Sequence, residues 1–143
     1  MRWVTRYNPH VDRCASIWLI KTFIDKDAVF GFISREDPIP EGAIPFTLPG
    51  AEIRPKDGKT TFDALVEKYR IEDPVVAKIQ EIIRDAEQAE ETGVYRLPES
   101  AGVFAILRGL DRTSKSDWEI MGKAMIVMDS LYAELKHRLE EGS

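Results

Sequence analysis

Residues 8–25, reading NPHVDRCASIWLIKTFID, constrain this chain more than any other stretch. Asn8 is a favoured helix N-cap, and Pro9 at the first helical position gives up only an N–H that would be orphaned there. The spacing predicts a helix over 8–25. Ile17, Trp18, Leu19, Ile20, Phe23 and Ile24 wrap apolar surface almost completely round it. A helix that is apolar on every side belongs at the centre of a domain, with other elements packed around it. Its strictly apolar run, residues 17–20, is far shorter than the roughly 20 residues of a membrane span. Its first turns carry His10, Asp12, Arg13, Cys14 and Ser16 instead. Polar side chains at the mouth of a buried helix either satisfy neighbouring backbone or line a pocket. Helix N-termini also carry free N–H groups and partial positive charge, which suits an anion held beside Arg13.

The rest of the chain supplies the packing partners. Residues 1–6 read as a short strand, and residues 28–33 (AVFGFI) as a buried strand in which Gly31 marks a weakness or a bulge. Pro38, Pro40, Pro45 and Pro49, with Gly42 and Gly50, give loop chemistry across residues 37–50, with room for a short strand at 44–48. Thr61 is expected to cap a helix running to Tyr69. Asp73-Pro74 opens a longer one to about Glu91, with Val75, Ile79, Ile82, Ile83, Ala86 and Ala89 as its core stripe and Gly93 as its stop. Pro98 opens the next, ending near Gly109 or Asp111. Ser116-Asp117-Trp118-Glu119 is a capping box for a last helix of about twenty residues. Met121, Met125 and Met128 on that helix read as core, with a homodimer seam as the alternative. The expectation is an α+β fold, mainly helical: about five helices around the buried central helix, and a small sheet from the N-terminal third. At 143 residues with 43% hydrophobic content, a single domain over 1–143 is expected.

Several functions are hard to support. The net charge of −5 lacks the basic face that nucleic-acid binding requires. The N-terminal MRWVTRYNPH has no apolar secretory region, so a cytoplasmic location and no membrane association are expected. One cysteine, Cys14, cannot form an internal disulfide or a dithiol, and its position favours a small core residue over a nucleophile. No phosphate-loop, dinucleotide, zinc-protease or serine-hydrolase motif is present, so no cofactor is expected. His137, among Lys136, Arg138 and Glu140, reads as a solvated side chain. His10 with Asp12 either braces the first turn or forms an acid–base or ligand pair at a pocket mouth. Arg13 either pairs with a carboxylate such as Glu52 or Asp85, or contacts an anion.

The pattern V-D-R-x-A-x-x-W-L-I-x-x-F-I-D, residues 11–25 here, resembles the opening of the C-terminal domain family of the chromate-resistance protein ChrB. The likeness continues in order through Phe46 and Pro49-Gly50-Ala51-Glu52, then Thr61-Phe62-Asp63-Ala64-Leu65. It includes Ile82 to Asp85, Pro98-Glu99-Ser100-Ala101-Gly102 and a final Leu131-Tyr132. The first motif is long and specific; the others support one another. The resemblance implies a role in the response to chromate or a related stress, by binding or sensing an oxyanion or by regulating a transporter. Family members often carry histidines where this chain has Arg54 and Arg84, and arginine there shifts a pocket toward anions. The expected ligand site is His10, Asp12, Arg13, Glu52, Arg54, Arg84 and Asp85, holding a small oxyanion such as chromate or sulfate. The alternatives are a metal-dependent enzyme with a carboxylate-rich site (His10, Asp12, Glu52, Asp85, Glu99), or a non-catalytic module dimerising through the last helix.

Overall fold

A computed structural model of the chain describes residues 1–142. Within them, β1 (Arg2–Arg6) is the middle strand of a small parallel sheet, flanked by β2 (Val29–Ile33) and β3 (Ala43–Pro45). Parallel neighbours need a crossover connection. The one from β1 to β2 carries α1 (Val11–Leu19) and a π-helical turn, Ile20–Ile24. Four more helices follow: α2 (Thr61–Lys68), α3 (Pro74–Thr92), α4 (Pro98–Thr113) and α5 (Asp117–Glu140). The architecture is α+β and mainly helical, as its pattern requires.

The central position of α1 is confirmed. Eight of its nine residues are buried, and it packs against α2, α3, α4 and α5. Trp18, Leu19, Ile17 and Phe62 are almost wholly inaccessible, each contributing about 1.5–3 kcal/mol of apolar burial. Trp18 stacks on Phe62, and its indole N–H reaches Asp129 of α5 at 2.8 Å. The other two tryptophans are satisfied likewise: Trp3 donates to Asp25, and Trp118 donates to the Phe30 carbonyl on the outer edge of β2. The wider π-helical turn closes with Asp25 N–H on the Ile20 carbonyl and sets Phe23 against both Trp18 and Tyr132. No described helix is long and apolar enough to cross a membrane.

The structure corrects several boundaries. The central helix begins at Val11, with His10 as an N-cap that makes no side-chain cap bond; Asn8 lies in a left-handed turn with φ of 54°. The cap comes from elsewhere: Glu87 of α3 accepts the Asp12 N–H at 3.0 Å. Thr60, not Thr61, caps α2, because its capping-box partner Asp63 stands three residues on. Helix α4 continues through Gly109 and Asp111 to Thr113, since Gly109 keeps helical backbone. The Ser116 hydroxyl caps α5 as expected, but Glu119 reaches the Lys115 N–H, and the helix runs 24 residues instead of about twenty. Gly31 makes no bulge; it pairs in register with Val4.

Asp12 joins α1 to α2. Its carboxylate is buried and accepts the first two amide N–H groups of α2, Thr61 at 2.8 Å and Phe62 at 3.0 Å. Burial and nearby Asp63 push this carboxyl above its ordinary range, and the two amides pull it back only in part. Removing the carboxylate strands two buried donors at about 1–3 kcal/mol each. Asp12→Ala is therefore expected to lower unfolding stability by about 3 kcal/mol, measured by urea denaturation. An unchanged midpoint would show that the α1–α2 junction does not depend on it.

Candidate functional site

The start of α1, the 55–60 loop, the polar face of α3, the 96–97 segment before α4 and Arg108 of α4 enclose a solvent-open cleft of about 1080 Å³. Five of the seven expected site residues line it: His10, Asp12, Arg13, Arg84 and Asp85. The other two lie outside. Glu52 is exposed and pairs with Lys68 at 3.1 Å, and Arg54 donates to the Ala51 carbonyl at 2.6 Å. A tight loop brings residues 55–60 over the cleft. Asp57 and Gly58 both take left-handed backbone there, and the Lys56 and Lys59 backbones bond each other.

Most charged groups in the cleft are already committed. Arg13 pairs with neither Glu52 nor Asp85. Its guanidinium donates to the carbonyls of Arg6, Tyr7 and Asn8, bracing the end of β1 against α1. Asp85 accepts the N–H groups of Arg96 and Leu97 together with the Gln88 amide; against the cost of burial, these donors hold it below the usual carboxylate range. Asp63 is likewise held low, since Arg84, the Thr60 N–H and Gln80 outweigh its burial. Arg84 grips Asp63 with Nε at 3.0 Å and Nη2 at 2.9 Å, leaving Nη1 without a protein partner among the described residues. Arg108 pairs with Glu90 at 3.0 Å, and Lys59 with Glu67 at 3.3 Å.

Two cations in the cleft have side chains with neither an acidic partner nor a hydrogen bond among the described residues: Lys56 on the loop and Arg96 before α4, both exposed. His10 stands 3.8 Å from Asp111, but burial and the charges of Arg108 and Arg13 hold it below its ordinary value, so it is neutral near pH 7. Cys14 is fully buried; burial pushes its thiol up to about 12, which makes it a core residue and not a nucleophile. His137 is exposed beside Glu141. Helix α5 buries Met128 and half-buries Met121 and Met125, while Ile126 and Leu139 face outward.

Glu87 is a residue the sequence did not disclose. It follows Ile83 by one helical turn, on the flank of the α3 stripe, among the acids Glu81, Asp85, Glu90 and Glu91, and no local pattern singles it out. Folded, it is half-buried in the cleft wall. Burial, then the neighbouring charges of Asp12 and Glu90, raise its carboxyl to about 7. Lys56, Arg96 and Arg108 were also hidden, because charged loop and helix residues carry no periodic signal.

The carboxylates named for a metal site are spread apart. Asp12 and Asp85 spend their oxygens on amides, Glu52 lies outside the cleft and Glu99 pairs with Arg138 at 2.9 Å. Among the described residues, no three His, Cys, Asp or Glu side chains are grouped to hold one metal ion.

The family model described as "ChrB, C-terminal domain" matches residues 3–135 of the chain. The chain is also 29% identical over 132 residues to Protein ChrB of Cupriavidus metallidurans, a match covering 92% of this chain and 40% of that protein. The chain thus spans about two fifths of that relative's length. No solved structure matches it.

The Glu87 environment has a measurable consequence for stability. Its folded value of about 7 lies above the ordinary 4.5, so the fold favours the protonated form. That stabilisation is fully present below about 4.5 and is lost as pH rises through about 7. Glu87→Gln keeps an oxygen to accept the Asp12 N–H but cannot ionise. The variant is expected to match wild type in melting temperature near pH 5 and to exceed it by several degrees above pH 8, read by calorimetry. Parallel melting curves across that range would contradict the raised value.

Proposed function

The chain belongs to the ChrB C-terminal domain family, and we propose that it serves chromate resistance by holding a small tetrahedral oxyanion in the cleft beside the start of α1. The observation that carries this reading is the pair of uncommitted cations, Lys56 and Arg96, on different walls of one cleft whose other charges are largely neutralised in place. Arg84 adds its free Nη1. Arginine offers paired donors in a fixed plane, suited to two oxygens of a tetrahedral anion, while lysine contributes a mobile point charge. Neutral His10 adds an N–H donor at the rim, and Arg13, Asp12 and Asp85 fix the walls instead of meeting the ligand.

The mixed charge of the cleft matters for selectivity. Glu81, Glu90 and Glu91 stand around the cations, so a long polyanion meets repulsion on either side of any favourable contact. A compact dianion fits between. The family likeness supplies chromate as the ligand, sulfate being the competitor of the same shape, and the expected setting is the cytoplasm.

The double variant Lys56→Ala/Arg96→Ala tests the reading. Both side chains are exposed and unpaired among the described residues, so their loss is expected to leave the melting temperature within about one degree of wild type. Chromate binding, followed by titration calorimetry at low ionic strength, is expected to weaken by about tenfold or more, the loss of two charge-assisted contacts. Equal affinity in the two proteins would reject this cleft as the anion site.

A further inference from the structure

We propose that Glu87 is the proton-dependent contact of this cleft: its outer carboxyl oxygen donates a hydrogen bond to the bound oxyanion when protonated, and turns the anion away when ionised. The inference deepens the oxyanion reading and rests on it.

Three buried carboxylates at this end of the molecule are fully used. Asp12 accepts two backbone amides. Asp63 accepts the Thr60 N–H, Gln80 and two donors of Arg84. Asp85 accepts two backbone amides and the Gln88 side chain. Each has both oxygens occupied by donors. Glu87 differs: its Oε1 accepts the Asp12 N–H at 3.0 Å, and no donor among the described residues reaches Oε2. That oxygen belongs to a side chain lining the cleft, so it is available to an incoming ligand.

The surroundings decide which form it takes. Asp12 of α1 and Glu90 of the same helix oppose a negative charge on Glu87, and Arg108 of α4 favours one. Glu81 and Glu91 of α3 also line the cleft, as do Lys56 and Lys59 of the loop, Arg96 before α4, and Arg13 and neutral His10 of α1. Arg108 and Lys59 are partly spent on Glu90 and Glu67. The partly buried carboxyl therefore holds its proton toward neutrality.

An oxyanion is an acceptor only. A protonated carboxyl is a donor, whereas a carboxylate is another acceptor of like charge. Glu87 is thus matched to the ligand in one protonation state and opposed to it in the other. Anion uptake then carries one proton onto the protein when Glu87 starts ionised, and releases it when the anion leaves.

The test is titration calorimetry of the whole chain and of Glu87→Gln with chromate from pH 6 to pH 8.5. The protonation of chromate itself is common to both titrations, so the ratio of their affinities isolates Glu87. Glutamine donates at every pH. Relative to the variant, wild type is expected to lose affinity by about tenfold or more across the range, with a midpoint near 7. Parallel pH curves would overturn the Glu87 role and leave the oxyanion reading standing. Binding by neither protein at any pH would overturn the oxyanion reading, and this coupling with it. A carboxyl-carbon NMR titration of wild type gives a second check: a Glu87 midpoint near 4.5 would overturn the proposal whatever the variant does.

Discussion

The carboxylate of Asp12 leaves the first turn of α1 and accepts the first two N–H groups of α2, while the Asp12 amide is taken by Glu87 from α3. One residue thereby fixes the relative placement of three helices. Without the carboxylate, two buried N–H groups at the α2 N-terminus lose their acceptor. The exchange also explains why α1 can begin without a side-chain cap of its own. Its polar start is supplied from a neighbour, which leaves His10 free to lie at the cleft rim.

The same device recurs around the cleft. Asp85 of α3 accepts amides from Arg96 and Leu97, so α4 starts where α3 allows it to. Away from the cleft, Asp73 caps its own helix through Val75 and Val76 and also receives the Tyr132 hydroxyl of α5 at 2.8 Å. Helix ends stitched by acids from other helices consume the acids in doing so. The cations that remain without partners, Lys56 and Arg96, stand over a hollow bounded by these junctions. The electrostatic character of the cleft follows from the way the fold satisfies its helix termini. Bracing and cavity are two results of one arrangement.

The sequence disclosed the central helix because Ile17, Trp18, Leu19, Ile20, Phe23 and Ile24 wrap apolar surface round it, a pattern with few other uses. It disclosed α3 almost to the residue, since Asp73-Pro74 and Gly93 are local signals that act on their own backbone; Gly93 indeed takes a left-handed φ of 74°. The start of α1 was misplaced because its cap is Glu87, seventy-five positions away, and no local pattern reports a distant acceptor. The candidate site was half legible as a place in the fold. His10, Asp12, Arg13, Arg84 and Asp85 do converge, but what separates a brace from a contact is the partner each finds. Arg13 finds three carbonyls that carry no sequence signature at all. Lys56, Arg96 and Glu87 became visible only once the loop and two helices were in place.

The proposed oxyanion site is the hollow beside a fully braced helix start. Crystals grown with chromate, measured at an X-ray wavelength where chromium scatters anomalously, locate the ion directly. One chromium peak is expected in the cleft, with its oxygens in hydrogen-bond reach of Lys56 Nζ and the Arg96 guanidinium. A cleft free of chromium, with the ion bound elsewhere or not at all, would contradict it.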